Sequence, residues 1–284
     1  MSRALRKAVE NSKQKKEIHL ADEGISALED VPELFSARHI TKLILSHNKI
    51  TELPAEISNL TGLEYLNLFN NQLEDLPSTI STLPKLRELN LALNRLCELP
   101  RGFGSFPSLQ ILDMTYNNLS SASFSANFAY LGGCLKALFL GDNDLNRFPP
   151  NMEKFILLEV LILRDNDIAD VPSTIHACQK LSTLQLQGNQ INVLPPEMAR
   201  LNFLTEKSCF KIYDNPLIEE LQSRSTTVKQ LFDYVKTEEY RLIYAEFNEA
   251  GKFTKVKRDY RSAKKCRNTK RHKVPALSGP GWNL

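Results

Sequence analysis

The feature that most constrains this chain is an asparagine that returns at a nearly constant interval within one short frame. The frame reads leucine, two variable residues, leucine, one variable residue, leucine, two variable residues, asparagine. It occurs eight times, with other residues at a few leucine positions and most loosely in the last copy, ending at Asn48, Asn71, Asn94, Asn117, Asn143, Asn166, Asn189 and Asn215. Five of the seven intervals are 23 residues and two are 26. Because one unit of this size cannot bury its own leucines, the period predicts stacked units that share a continuous core.

Each repeat contains two parts with different backbone preferences. Before the asparagine, apolar and variable residues alternate as in a short strand, with the leucines on one side. The asparagine amide both donates and accepts hydrogen bonds, which suits a buried turn. After it, most repeats carry a pair such as Leu53-Pro54 or Leu76-Pro77, and proline keeps this part out of the sheet. The pattern predicts an α/β leucine-rich repeat solenoid, with a curved parallel sheet on its concave face and short helical, 3-10 or extended segments on its convex face.

The repeats divide the chain into four expected segments. These are a basic N-terminal cap segment (1–17), the solenoid (18–217), a helical C-terminal cap (218–250) and a basic, disordered tail (251–284). The solenoid comprises a degenerate first turn, with Glu23 in the asparagine position, and eight repeats of 23–26 residues. Val228, Leu231 and Phe232 follow helical spacing in the C-terminal cap, with Thr226 or Thr227 as its N-cap. The two longer intervals predict bulges on the convex side, because the inner frame resumes after each.

No motif for catalysis, a cofactor or a metal accompanies the repeats in the sequence. The five histidines occupy unrelated repeat positions, without a cysteine or carboxylate at metal-ligand spacing. Acidic residues near the turns do not form a calcium loop. We therefore expect a protein that is not an enzyme and binds no cofactor or small-molecule substrate. The five cysteines are scattered, and no apolar segment reaches the length of a membrane span, so we expect an intracellular, cytoplasmic protein.

The positive charge is concentrated at the two ends of the chain. Residues 252–273 contain eleven Lys or Arg against the single acid Asp259, and residues 1–17 are also basic. Since the whole chain has a net charge of only +3, the solenoid between these ends is acidic. A basic tail attracts polyanions, at nucleic acids or weakly at membrane surfaces. Apart from Tyr260 the tail lacks aromatic residues that stack on bases, which disfavours nucleic acid as its partner.

The residues that flank the strand leucines predict a protein-binding site on the concave face. Folding requires no apolar side chain at these solvent-facing positions, yet several middle repeats carry aromatic residues there. Aromatic anchors among polar groups are typical of protein interfaces. The candidate residues are Tyr65, Asn67, Phe69, Asn90, Asp113, Thr115, Tyr116, Phe139, Asp142, Ile162, Arg164 and Asp165. The rim is expected to be acidic at Asp142 and Asp165, which favours a basic partner. Ordinary solvated strand residues are the simpler interpretation of the same positions.

Several segments together resemble the Ras suppressor proteins. They are LSHNKIT (45–51), NRLCELPRGFGSFPSLQILDMTYNNLS (94–120), LRDNDI (163–168) and NQINVLPPEM (189–198), within a similarity from about residue 4 to about residue 250. The resemblance implies a monomeric, non-catalytic adaptor at integrin adhesions that is linked to Ras-dependent signalling. It implies binding to the terminal LIM domain of PINCH, and thereby to integrin-linked kinase and parvin, through Phe69, Asn90, Asp113 and Tyr116. The tail departs from the family and inherits no role.

Two alternative functions remain open at this stage. One is a leucine-rich repeat scaffold that acts directly on Ras, Raf or phosphatase signalling. No Arg/Lys-Val-x-Phe docking motif is found, and the chain has fewer repeats than such scaffolds usually carry. The other is binding of a polyanion, either nucleic acid or a membrane surface, through the basic tail. Loss of binding on deletion of residues 252–284 would indicate this second alternative.

Overall fold

The structure is a computed structural model that describes residue 10, residues 16–29 and residues 32–249. It contains one sheet of nine parallel strands, whose order in space is their order in the chain. The strands are β1 (Glu17–His19), β2 (Lys42–Ile44), β3 (Tyr65–Asn67), β4 (Glu88–Asn90), β5 (Ile111–Asp113), β6 (Ala137–Phe139), β7 (Val160–Ile162), β8 (Thr183–Gln185) and β9 (Cys209–Lys211). The predicted repeat solenoid is confirmed. The expected disorder of the tail lies outside the described residues.

The strands are short, and their central residues point into the core. Leu66, Leu89 and Leu112 face one another as register partners in neighbouring strands, and all are almost completely buried. The residues on either side of each leucine project to the opposite face of the sheet, the concave face. Stacking the turns joins their leucines into one hydrophobic core that extends from Ile18 in β1 to Tyr240 near the C-terminus.

The recurring asparagine bonds to its own turn and to the preceding one. At Asn94, Nδ2 donates to the carbonyl oxygens of Leu68 and Leu91, both at 3.0 Å, and Oδ1 accepts from the Leu73 N–H at 3.0 Å. Equivalent bonds form at Asn48, Asn71, Asn117, Asn143, Asn166, Asn189 and Asn215. The eight asparagines thus form a ladder of hydrogen bonds along the solenoid. This ladder satisfies backbone groups that burial would otherwise leave unpaired.

The convex side is built from 3-10 helices. They span Pro32–Ser36, Ala55–Asn59, Ser78–Thr82, Phe103–Ser105, Ser121–Ser123, Ala126–Gly133, Met152–Lys154, Ser173–Ala177 and Pro196–Arg200. Four of them begin directly after a proline in extended backbone, at Pro54, Pro77, Pro172 and Pro195. Proline has a fixed φ and no N–H to pair, so it suits the position where the chain leaves the sheet and enters a helical turn.

The longer interval after Asn117 places its additional residues on the convex side, as expected. They form the helices Ser121–Ser123 and Ala126–Gly133, and the second packs against Phe103–Ser105 of the preceding turn. The backbones approach so closely that a Cβ at Gly104 would lie 1.8 Å from the carbonyl oxygen of Asn127. The rings of Phe103 and Phe128 stack beside this contact, with centroids 6.5 Å apart. Glycine is therefore required where the enlarged turn joins its neighbour.

The longer interval after Asn189 leads into the C-terminal helices. Phe203, in its added segment, contacts Phe210 of β9 and Phe232, with ring centroids at 5.5 and 6.1 Å. The helices are α1 (Glu219–Gln222), α2 (Val228–Val235) and α3 (Glu238–Glu249). Of the two proposed N-cap residues, Thr227 is the one that caps α2, because its side chain accepts from the Gln230 N–H. Phe232 of α2 thus covers the apolar end of the last repeat.

Tyr240 fastens α3 to the solenoid. Its side chain is completely buried, and its hydroxyl donates to the Leu194 carbonyl oxygen at 2.7 Å. The same hydroxyl oxygen accepts from the Leu194 N–H at 3.0 Å. Burial raises the pKa of this phenol far above its ordinary value, so the donating proton is retained at neutral pH. One side chain therefore satisfies both backbone groups of a buried residue 46 positions away.

Candidate protein-binding face

The structure brings all twelve candidate residues onto the concave face. Asn67, Asn90, Asp113, Phe139 and Ile162 form one row as register partners in β3 to β7. At a strand spacing of about 4.8 Å, this row extends for roughly 19 Å. Tyr65 begins β3, and the other candidates follow their strands within three residues: Phe69, Thr115, Tyr116, Asp142, Arg164 and Asp165. They form a continuous surface over five strands.

These side chains are less accessible than expected. The sequence pattern predicts that they face solvent, but ten of the twelve are half-buried, and Ile162 (8% exposed) and Asp142 (9%) are buried. Asp113, which was expected to be exposed, is among the half-buried residues. Side chains on strands about 4.8 Å apart cover one another, and the sequence pattern does not record this lateral contact. A partner would meet a packed surface rather than separate solvated side chains.

Three polar residues of the central row have a local structural role. The Oδ1 atoms of Asn67, Asn90 and Asp113 accept from the backbone N–H two residues ahead, at 2.9, 3.0 and 2.9 Å. Each bond closes the turn that follows the strand. Asparagine and aspartate are both able to make it, so the bond does not distinguish between them. The sequence pattern does not reveal this turn-closing role, because it indicates these residues only as part of an interface.

Aspartate at position 113 buries a charged group, and this lowers the stability of the folded state. The neutral asparagines at positions 67 and 90 avoid this cost. Burial raises the pKa of the Asp113 carboxyl, while hydrogen bonds from the Thr115 N–H and side chain and the positive charge of Arg164 act in the opposite direction. The net elevation means that the folded protein disfavours the charged form relative to the unfolded chain. An asparagine would keep the bond to Thr115 without a half-buried charge. The charge at position 113 therefore adds nothing to the turn that an amide would not provide.

An ionic cluster occupies the side of the concave face that is formed by β6 and β7. Arg164 Nη1 lies 2.8 Å from Oδ2 of Asp142 and 2.8 Å from Oδ2 of Asp165. Its guanidinium carbon lies 5.7 Å from the centre of the Tyr116 ring. A Cβ at Gly141 would lie only 3.1 Å from Arg164 Cγ, so the glycine leaves room for this side chain. The cluster keeps a net negative charge, because one guanidinium cannot neutralise two carboxylates, so Arg164 weakens the predicted acidic rim without removing it.

The opposite side of the face is aromatic. The rings of His47 and Phe69 meet edge to face, with centroids 5.1 Å apart, and Asn70 Nδ2 lies 2.9 Å from His47 Nδ1. Lys42 Nζ lies 5.1 Å from the centre of the Tyr65 ring. These contacts hold Phe69 and Tyr65 on the concave face. The face thus has an aromatic side on β2 and β3 and an ionic side on β6 and β7, with Asp113 between them.

Every residue directly before a ladder asparagine has left-handed backbone. These are His47, Asn70, Leu93, Tyr116, Asp142, Asp165, Gly188 and Asp214, with φ from 54° to 71°. Glycine, asparagine and aspartate tolerate this conformation, but bulky residues do so at a cost. Leu93 and Tyr116 are thus unusual, and Leu93 was not among the predicted site residues. The sequence does mark Leu93 as unusual, because a leucine stands at a repeat position that favours small polar residues.

Residues 16–29 and 32–249 contain neither a metal-binding cluster nor a membrane-spanning helix. No group of three or more His, Cys, Asp or Glu residues in these ranges is arranged to hold a metal ion. No helix there combines the length and apolar character needed to cross a membrane.

Known proteins resemble this chain both in sequence and in fold. A family model described as leucine-rich repeat region matches residues 20–138. Ras suppressor protein 1 of Homo sapiens is 55% identical over 254 residues, which cover 88% of this chain and 91% of the human protein. The chain belongs to the Ras suppressor protein family. Ras suppressor protein 1 of Bos taurus is 53% identical with the same coverage.

A solved structure of a leucine-rich repeat protein from Leptospira interrogans supports the same fold. It is 29% identical, with a TM-score of 0.65, and the match covers 74% of this chain and 58% of that protein. This chain therefore spans less than two thirds of that bacterial protein. The Ras suppressor family and its repeat scaffold are those of non-catalytic proteins that act by binding other proteins. The chain is accordingly a protein-interaction adaptor.

Proposed function

We propose that this adaptor binds the terminal LIM domain of PINCH through its concave face. In doing so it joins integrin-linked kinase and parvin in an adhesion complex and connects that complex to Ras-dependent signalling. The observation that carries the proposal is the 55% identity to human Ras suppressor protein 1 across the repeats that build this face. The proposal places the protein in the cytoplasm, as a monomer, at cell–matrix adhesions.

The side chains of the concave face suit a compact, folded partner. Phe69 and Tyr116 are half-buried rings, held by His47 and Arg164, that still present part of their surface. Aromatic groups of this kind act as anchors, because little conformational entropy remains to be lost on binding. A rigid LIM module can seat on such a surface without refolding. Its zinc ions would belong to the partner, and this chain would contribute no ligand to them.

Charge complementarity would centre on Asp113. Arg164 pairs with Asp142 and Asp165, whereas Asp113 forms no ion pair among the residues that the structure describes. Its hydrogen bonds come from Thr115, in its own turn. A lysine or arginine brought to this position would relieve the cost of the half-buried carboxylate. Asp113 is therefore the residue at which a substitution tests the proposal most sharply.

The test is a calorimetric titration of the full chain with the terminal LIM domain of PINCH. Wild type should bind, and Asp113→Arg should lower the affinity by about a thousandfold, the order expected when a charge at the centre of an interface is reversed. Asp75→Arg makes the same change at an exposed position after Asn71, outside the concave face, and should bind as wild type does. Unfolding curves of both variants establish that they are folded.

The other outcomes would change either the binding surface or the function. Equal affinities for wild type and Asp113→Arg would mean that the LIM domain binds another surface. Absence of binding by wild type would refute the proposed partner. Titrations with Ras, Raf and a phosphatase would then test the direct signalling scaffold. Titration with anionic vesicles and with nucleic acid, before and after deletion of residues 252–284, would test the polyanion alternative.

A further inference from the structure

The C-terminal end of the concave face presents an exposed aromatic side chain that the candidate site does not include. Tyr213 follows β9 and is 58% exposed, and its side chain has no hydrogen bond or ring partner within the described ranges. It occupies the same repeat position as Phe69 and Arg164, two residues before a ladder asparagine. Its carbonyl oxygen accepts from the Gly188 N–H at 3.2 Å, which fixes it beside the preceding turn. Tyr213 therefore continues the row formed by these residues.

The neighbour of Tyr213 in that row is a glutamine with an unpaired acceptor. Gln187 is 8% exposed, and its Nε2 donates to Oε1 of Gln185 at 3.3 Å. Its own Oε1 is buried and has no hydrogen-bond partner among the residues described. A buried acceptor without a donor is a cost to the free protein. A donor can reach this oxygen only when the Gln187 side chain rotates outward, and a ligand that supplies a donor would then remove this cost.

The charges around Tyr213 indicate the kind of group that binds. Asp214 is exposed and forms no ion pair in the part of the chain that the structure describes. Lys211 lies on the same face at the start of the turn, while Arg164 and Asp165 compensate each other in the turn beyond Gln187. A cation can therefore approach from the Asp214 side, away from Lys211. There it would meet the Tyr213 ring and the Asp214 carboxylate, and it would reach the Gln187 amide oxygen once that side chain rotates outward.

We propose that Tyr213, Gln187 and Asp214 form a second contact area that binds a lysine or arginine side chain of the same protein partner. The aliphatic stem and cation would lie against the Tyr213 ring, and the N–H groups would donate to Gln187 Oε1 and the Asp214 carboxylate. This contact area continues the candidate face through Arg164, the row neighbour of Gln187. The inference rests on the proposed function, since it extends the footprint of the same partner.

The test measures the affinity of full-chain variants for the terminal LIM domain of PINCH. Tyr213→Ala and Gln187→Leu should each weaken binding by about five- to tenfold, the range of a cation–aromatic contact or a lost acceptor. Asp214→Asn should reduce the dependence of the affinity on salt concentration. Tyr130→Ala is the matched control, because Tyr130 is 63% exposed on the convex helix Ala126–Gly133. It should bind as wild type does.

The outcomes separate this inference from the proposed function. If Asp113→Arg abolishes binding while Tyr213→Ala and Gln187→Leu bind within twofold of wild type, the second contact area is refuted and the proposed function stands. If wild type does not bind the LIM domain, the proposed function and the second contact area are both refuted. Unfolding midpoints address folding: Tyr213→Ala should match wild type because the ring is exposed. A variant that lost stability to the same extent as affinity would contradict a contact role.

Discussion

At the scale of the residue, asparagine occupies two positions in the repeat and has a different role in each. Before the turn, Asn94 and its equivalents join two successive turns, and all of them are buried except Asn215, which is half-buried. Within the strand, Asn67 and Asn90 close only their own turn and stay half-buried. The first position holds asparagine in all eight repeats, whereas the second also accepts Asp113, Phe139 and Ile162. Variation between repeats thus marks the position that is available for function.

Asp113→Asn should separate the folding role of this position from its binding role. The pKa of Asp113 is raised in the folded state, so its carboxyl is protonated in both states below the ordinary value of 3.8. As the pH rises, the unfolded chain ionises first, and the wild type loses stability relative to the asparagine variant. We expect the variant to be more stable at pH 7 by up to about 1 kcal/mol and equally stable at pH 3.

Urea unfolding of both proteins at the two pH values measures this difference. The comparison cancels all other titrating groups, because the proteins differ at one position only. A wild type that is more stable than the variant at pH 7 would show that attraction to Arg164 outweighs burial of the carboxylate. The same variant should bind the partner less tightly, since asparagine lacks the charge.

At the scale of the element, the helical cap depends on contacts between distant parts of the chain. The periodic apolar residues of α2 predict a helix, and Thr227 marks where it begins. The bond between Tyr240 and Leu194 could not be predicted, because neither residue belongs to a repeating pattern that connects them. The enlarged turn after Asn117 is similar: its convex placement follows from the intact inner frame, but its contact with Gly104 does not.

Tyr240→Phe should destabilise the protein by removing this one connection. The ring still fills its space, while the Leu194 N–H and carbonyl both lose their partner. A buried polar group left unpaired costs about 1–3 kcal/mol. Urea unfolding should show a loss in this range or above. Tyr130→Phe, which changes an exposed hydroxyl, should match wild type. Equal stability of wild type and Tyr240→Phe would mean that α3 is held by apolar packing alone.

At the scale of the whole molecule, the sequence predicts the solenoid better than it predicts the binding face. The strands and turns were predictable, because residues such as Leu66 and Asn71 recur with the period that builds them. The pairing of Arg164 with Asp142 and Asp165 depends on which side chains meet across neighbouring turns, and no period encodes it. The burial of Ile162 and Asp142 has the same origin. Lateral contacts therefore decide the charge and accessibility of the face.

The most direct test of the central claim is hydroxyl-radical footprinting of the full chain, free and bound to the terminal LIM domain of PINCH. Side-chain oxidation reports accessibility at individual residues. If the LIM domain binds the concave face, Tyr65, Phe69 and Tyr116 should become protected in the complex. The convex Tyr130, which is 63% exposed in the free chain, should be oxidised at an unchanged rate. Protection of Tyr130 without protection of the concave aromatic residues would mean that the LIM domain does not bind the concave face.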